Sequence, residues 1–116
     1  MPPRRDPRRH VDDVLQAIAN IEADTAGLDF EQFVADRRVR QLVERNLEII
    51  SEASRRIPDR LKATEPNVPW REIAGIGNVL RHDYGEVRPE IIWGVRTHRL
   101  AVLKAAVQQI QARLEG

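Results

Sequence analysis

Apolar residues recur every three or four positions along most of the chain, which is the period of helices buried on one face. The first apolar stripe starts at about Pro7 and ends near Gly27. Its members are Val11, Val14, Leu15, Ile18 and Ile21. No segment of useful length alternates apolar with polar residues, so the pattern predicts no strand.

Capping residues and prolines delimit the next helical segments. Asp29 is a suitable N-cap for a short turn from Phe30 to Val34, and Asp36 is one for a longer helix that Pro58 ends. The predicted apolar face of that longer helix comprises Val39, Leu42, Val43, Ile50, Ala53 and Ile57, with Leu47 and Ile49 on its flanks.

A proline-containing loop at 59–69, with room for one helical turn, precedes a helix predicted from about Trp70 to Tyr84, for which Gly85 is a suitable C-cap. Pro89 fits the first turn of one last, long helix. Its predicted buried residues are Ile92, Val95, Leu100, Leu103, Val107, Ile110 and Leu114. Four main helices with short links predict an all-α antiparallel four-helix bundle with additional short helical turns.

Composition narrows the class of protein. A chain of 116 residues is the size of one domain, which we place at residues 7–116 behind a flexible tail at 1–6. The absence of Cys excludes disulfides and thiolate chemistry and fits a cytoplasmic protein. No apolar run is long enough to span a bilayer. A net charge of +1 does not by itself predict nucleic-acid binding, so any RNA contact depends on local clusters of Arg.

The segment 76–84 (IGNVLRHDY) carries the candidate chemistry. The chain has 3 His and 1 Tyr, and His82 and Tyr84 lie two residues apart in this segment. At about 100° per residue, Tyr84 should face the bundle while His82 points away from it beside Asn78. An accessible imidazole can exchange a proton with a ribose 2′-hydroxyl or a leaving 5′-oxygen. The alternative for His82 is an ordinary exposed helix residue.

Several stretches together resemble the HepT-like toxins of the HEPN superfamily, whose signature is Arg-x4-His-x-Tyr. His82, Asp83 and Tyr84 match the end of that signature. Further similarity lies in 40–54 (RQLVERNLEIISEAS), 68–76 (VPWREIAGI) and 91–93 (IIW). The resemblance implies a HEPN-like helical homodimer whose two motifs face a shared cleft and cleave RNA without a metal ion.

The resemblance also implies residue roles and a partner. His82 corresponds to the acid–base residue. Asn78 is assigned from its place one turn before His82, where it can orient the imidazole or contact the phosphate. Tyr84 corresponds to the tyrosine that a cognate minimal nucleotidyltransferase (MNT) antitoxin modifies with AMP. For Tyr84 the alternative is an anchoring aromatic residue, and for Asn78 it is a local hydrogen bond. We expect no cofactor and no metal site, because three scattered His give no ligand spacing.

The chain departs from the signature at Gly77, which occupies the position of the motif Arg. Glycine in a helix costs about 1 kcal/mol relative to alanine, so we expect a packing reason such as close approach of a neighbouring helix. Our hypothesis is that Arg81, one turn later, supplies the positive charge in place of the motif Arg. The alternative function is a catalytically weak or inactive dimer that serves as a binding module for a nucleotidyltransferase.

Other polar and aromatic residues are interpreted as structural. Asn46 is expected to be a buried polar group with a partner rather than a dimer contact. Glu52 is expected to pair with a nearby Arg, and Trp70 and Trp93 to anchor packing. The cluster at 37–40 (RRVR) is interpreted as a solvated face rather than an RNA contact.

Overall fold

The computed structural model describes residues 6–82 and 88–116, which form helices and contain no strand. None of the helices in these ranges combines the length and the apolarity that crossing a bilayer requires. The helices are α1 (Pro7–Thr25), α2 (Phe30–Ala35), α3 (Arg37–Arg56), α4 (Asp59–Lys62), α5 (Trp70–His82), α6 (Pro89–His98) and α7 (Leu100–Glu115).

Aspartate side chains begin the first three helices. Asp6, which the sequence placed in the tail, accepts a hydrogen bond from the backbone N–H of Arg8 at the start of α1. Asp29 and Gln32 form a reciprocal capping box at α2, and Asp36 caps α3. Each carboxylate satisfies an N–H that has no partner within the helix, so these residues fix where the helices start.

The helices pack as the predicted antiparallel bundle, with α3 between α1 and α5, and with α7 against α1. The antiparallel α1–α7 pair is joined by Lys104 to Glu22 (3.0 Å) and by Gln111 to Asp12 (3.0 Å). Among the residues that the structure describes, the buried apolar core is aliphatic apart from one phenylalanine. Its largest fully buried side chains include Phe33, Ile18, Ile21, Leu47, Ile50, Ile73, Ile92, Leu103 and Ile110.

The prediction of a single long helix after Pro89 is wrong, because the structure has two helices there, α6 and α7, which meet at Arg99. Just before the break, the Thr97 hydroxyl donates to the backbone carbonyl of Trp93 (2.8 Å). A hydroxyl that bonds one turn back competes with the helix's own hydrogen bonds and bends it. The buried positions predicted across both helices are nevertheless buried or packed against the core.

The predicted apolar face of α3 is rotated relative to the observed one. Leu47, placed on a flank, is fully buried, whereas Leu42, placed on the face, is 46% exposed. The helix is covered by α1 on one side and α5 on another, so its buried arc is broad and includes Leu47. Leu42 lies about 140° from Leu47 around the helix, outside that arc.

Candidate functional site

The start of α5 is fixed by Trp70. Its indole N–H donates to the backbone carbonyls of Lys62 (3.0 Å) and Glu65 (3.1 Å), which ties α5 to the segment after α4. Ile73, one turn later, is 1% exposed and lies in the core. Trp70 is therefore a packing anchor, as predicted.

Trp93 has the same role on α6. Its ring centroid lies 5.0 Å from that of Phe33, which is fully buried. The Arg96 guanidinium lies 5.3 Å from the Trp93 ring centroid, a distance at which a cation is attracted to an aromatic face. Both tryptophan rings are engaged in packing, so neither is placed mainly to stack on a nucleic-acid base.

Ser51 of α3 joins α3 directly to the backbone of α5. Its hydroxyl donates to the Ala74 carbonyl (2.6 Å) and accepts from the Gly77 N–H (3.0 Å). Arg55, one turn further along α3, donates to the same Ala74 carbonyl through Nε (3.2 Å) and Nη2 (2.8 Å). This α3–α5 seam sets the position and rotation of the helix that carries the motif.

Gly77 lies buried in the α3–α5 seam. A side-chain hydroxyl of α3 reaches its backbone N–H, which requires the two helices to approach closely. This geometry supplies the packing reason expected for a glycine within a helix. Position 77, which the resemblance matches to the motif Arg, therefore lies against α3.

The opposite side of α5 is open to solvent. Asn78 and Arg71 are both exposed, and Gly75 has no atom within 4 Å of where a Cβ would lie. Positions 71, 75, 78 and 82 fall within about 60° of one another around the helix. We call Arg71, Gly75 and Asn78 the exposed stripe of α5, and by helical periodicity position 82 continues its line.

The remaining residues predicted for the site lie at the end of α5. His82 is the last residue of α5 and Arg81 precedes it, and the side chains of both lie outside what the structure describes. Tyr84 lies outside the described residues, as do Asp83 and Gly85. Asn78 and His82 are four residues apart on one helix, so their backbones are successive steps of the same stripe.

An apolar groove adjoins the exposed stripe between α5 and α6. Its cavity of about 330 Å³ is lined by Ile76, Leu80 and Val95, which pack partly against the core. Two larger side chains at this groove are open to solvent: Val79 is 51% exposed and Ile91 46% exposed. An apolar surface beside the motif distinguishes this part of the bundle.

Asn46 is a structural polar residue, as predicted. It is 7% exposed, donates to the Leu42 carbonyl (2.8 Å) and accepts from the Asn20 amide (3.1 Å). Glu52 also behaves as expected, since it pairs with Arg56 at 2.8 Å. Neither residue lies on the exposed stripe of α5.

Sequence reasoning missed Ser51 and Arg55. Their spacing of four residues on α3 was visible, but a serine and an arginine so placed predict only a polar flank. His10 is 9% exposed and lines a cleft of about 840 Å³ between α1 and α3 with Asp13, Glu48 and Arg56. Within residues 6–82 and 88–116, no cluster of His, Asp or Glu is placed to hold a metal ion.

Comparisons with known proteins point to one family. A family model described as "Ribonuclease HepT-like" matches residues 14–110. A Thermococcus cleftensis protein named "Probable ribonuclease HepT" is 33% identical over 108 residues, which cover 93% of this chain and 98% of that protein. No solved structure gives a significant match.

Two further relatives carry names of the same kind. A candidate RNase of Caldanaerobacter subterraneus subsp. tengcongensis is 34% identical over 104 residues, 90% of this chain and 93% of that protein. A candidate RNase of Methanocaldococcus jannaschii is 31% identical over 105 residues, 90% of this chain and 96% of that protein. The similarity thus extends over nearly the whole length of each relative.

Proposed function

We propose, because this chain belongs to the HepT-like ribonuclease family, that it is a metal-independent endoribonuclease acting through His82. The observation that supports the proposal is the exposure of Asn78 on α5, because helical periodicity puts His82 one turn later on the same side of that helix. The α3–α5 seam holds that helix in place, as a site of fixed geometry requires.

The proposed reaction uses the nucleophile that RNA itself carries. The His82 imidazole takes the proton of a ribose 2′-hydroxyl, and the 2′-oxygen attacks the adjacent phosphorus. The bond from phosphorus to the 5′-oxygen breaks, and a protonated imidazole returns a proton to that oxygen. The products are a 2′,3′-cyclic phosphate and a free 5′-hydroxyl.

The developing phosphate charge needs a hydrogen-bond donor or a cation. Asn78 is exposed and position 82 continues its line along α5, so the Asn78 amide is proposed to contact the phosphate or orient the imidazole. Gly77 has no side chain for this purpose and its backbone faces α3. Arg81, in the last turn of α5, is proposed to supply the positive charge in its place.

The proposed active unit is a homodimer formed through the α5–α6 groove. Val79 and Ile91 expose apolar surface at this groove, and a second copy of the chain would remove that surface from water. Val79 follows Asn78 directly, so pairing at this face brings the two exposed stripes to the rim of one cleft. One His82 can then act as base while the other acts as acid.

We further propose that the chain is the cytoplasmic toxin of a toxin–antitoxin pair whose antitoxin is an MNT-type nucleotidyltransferase. Tyr84, two residues after His82, is the proposed acceptor of AMP. A bulky anion there would occlude the cleft and repel the phosphate of an incoming RNA. This regulation is an extension of the ribonuclease proposal and depends on it.

Gly77 favours one alternative, a catalytically inactive dimer that binds the nucleotidyltransferase. Loss of one charge-stabilising donor can slow an enzyme by about 10²–10³-fold, and the motif Arg is absent here. The alternative predicts a stable complex with the nucleotidyltransferase and no RNA cleavage by the natural chain.

The test is incubation of the purified chain with single-stranded RNA in EDTA. The natural chain should cleave the RNA and His82→Ala should not, while His98→Ala should cleave normally because His98 lies at the far end of α6. Absence of cleavage by the natural chain, together with a stable nucleotidyltransferase complex, would establish the alternative. Equal cleavage by the natural chain and His82→Ala would contradict both.

A further inference from the structure

A second charged surface lies at the other end of α5. The end of α3, the short helix α4 and the start of α5 enclose a cleft of about 500 Å³. Three cationic side chains line it, and Asp59 is the acidic residue in the lining. We call the set Arg55, Lys62 and Arg71 the cationic cleft.

The charge of Arg55 is not neutralised by the bond that holds it. Its guanidinium donates through Nε and Nη2 to the Ala74 carbonyl, which is a neutral group. A guanidinium has five N–H donors, so three remain for a ligand after these two are used. The contact thus fixes the orientation of the Arg55 head group while leaving it cationic.

The other two cations differ in their freedom. Lys62 is 16% exposed and is engaged by the Ser54 carbonyl (3.2 Å) and by Asp59 (3.6 Å), so it contributes mainly charge. Arg71 is exposed, and no ion pair joins it to an acidic residue in the ranges 6–82 and 88–116. The acidic neighbour Glu72 pairs instead with Arg99 at 3.1 Å.

The cationic cleft is continuous with the exposed stripe of α5 through Arg71. From Arg71 to position 82 the helix rises about 16 Å, the length of a few extended nucleotides. Two small residues follow Arg71 along this side of the helix: Ala74 borders the cleft, and Gly75 has open space where a side chain would lie. A chain of phosphates can therefore approach the α5 backbone between the two ends.

We propose that the cationic cleft binds backbone phosphates of the RNA a few nucleotides away from the bond that is cleaved. Arg55 and Arg71 donate to phosphate oxygens, and Lys62 adds charge from the wall of the cleft. Guanidinium groups suit this role because their planar donors match two phosphate oxygens at once. The proposal rests on the proposed ribonuclease function, and it adds a subsite that reads the backbone, not the base sequence.

The experiment measures binding of a fluorescent single-stranded RNA to the His82→Ala chain at several salt concentrations. Arg55→Gln and Arg71→Gln are each compared with the Arg45→Gln control, which removes the same charge from an exposed site about 15 Å along α3 from Arg55. Each cleft variant should weaken binding about three- to tenfold and reduce the slope of log K against log salt by about 0.7. Arg45→Gln should leave both unchanged.

Arg55→Lys separates charge from folding. Lysine keeps the positive charge and can donate to the Ala74 carbonyl, so binding should stay closer to that of the parent chain than in Arg55→Gln, which should show the three- to tenfold weakening. Thermal melting of each variant shows whether the fold is intact. Unchanged affinity and salt slope in both Gln variants, or no RNA binding by the parent at low salt, would overturn the subsite.

RNA cleavage by Arg55→Gln and Arg71→Gln, made in chains that keep His82, distinguishes the two proposals. If both variants cleave RNA and bind it as tightly as the parent chain does, the cationic cleft is rejected as a subsite and the ribonuclease proposal stands. Weakened RNA binding in these variants, with no cleavage by the natural chain, would retain the cleft as an RNA-binding surface and reject the ribonuclease.

Discussion

At the scale of single residues, the site depends on how the backbone around Gly77 is held. Ser51 is 2% exposed and bonds both the Ala74 carbonyl and the Gly77 N–H. Ser54 is equally buried, but its hydroxyl donates only to the Ser51 carbonyl within α3. The two serines thus differ in whether they join helices.

Ser51→Ala should lower the free energy of unfolding by about 1–3 kcal/mol, because it leaves the buried Gly77 N–H without its partner from α3, while the Ala74 carbonyl keeps only Arg55. Ser54→Ala should cost less, since only a local bond is lost. Urea unfolding of both variants gives the comparison. Equal losses would mean that the α3–α5 seam does not depend on Ser51.

Asn78→Ala tests the role of the exposed amide. We expect kcat for RNA cleavage to fall about 10²–10³-fold, the effect of removing one donor to a developing charge. The melting temperature should stay within a degree or two, because Asn78 is exposed. An unchanged kcat would show that Asn78 makes only local contacts.

At the scale of helices, sequence pattern gives the elements more reliably than it gives their faces. The Asp29 and Asp36 caps were predictable, because a short side chain with a hydrogen-bond acceptor just before an apolar helical repeat is typical of an N-cap. The break at Arg99 was not, because neither a glycine nor a proline stands next to it in the sequence. The width of the buried arc of α3 depends on how many helices pack around it. The sequence of α3 alone does not give that number.

Leu47→Ala and Leu42→Ala make a matched pair on α3. The first side chain is fully buried and the second is 46% exposed. Leu47→Ala should therefore cost about 2–5 kcal/mol of unfolding free energy through the cavity it leaves. Leu42→Ala should cost less than about 1 kcal/mol. Similar losses in chemical denaturation would contradict the observed rotation of α3.

The candidate site was only partly predictable at this scale. Helical periodicity placed Asn78 and His82 on the side of α5 away from the core, and the exposure of Asn78 agrees. The contacts of Ser51 and Arg55 with α5 could not be predicted, because they join residues about 20 to 26 positions apart. For the same reason, the cationic cleft becomes visible only when α3, α4 and α5 are brought together.

At the scale of the whole molecule, the proposed active unit consists of two copies of the chain. Val79→Glu should convert the proposed dimer to a monomer, because a carboxylate facing the apolar α5–α6 groove would lose its hydration on pairing. Val102→Glu is the matched control on α7, where the valine is 49% exposed, close to the 51% of Val79. Light scattering after gel filtration gives both masses.

RNA cleavage should be lost in Val79→Glu and kept in Val102→Glu, since the proposed cleft needs both exposed stripes. A Val79→Glu chain that still dimerises, or a natural chain that is monomeric while cleaving RNA, would place the active unit elsewhere. The result also decides whether the apolar groove beside the motif is an interface or an isolated surface feature.

The most direct measurement of the central claim is the chemistry of the RNA ends produced in EDTA. The natural chain should leave a 2′,3′-cyclic phosphate on one fragment and a 5′-hydroxyl on the other, identified by mass spectrometry. The same RNA with 2′-O-methyl groups should stay intact, because its nucleophile is blocked. Cleavage of the methylated RNA, or no cleavage of the unmodified RNA by the natural chain, would contradict a His82-driven, metal-independent ribonuclease.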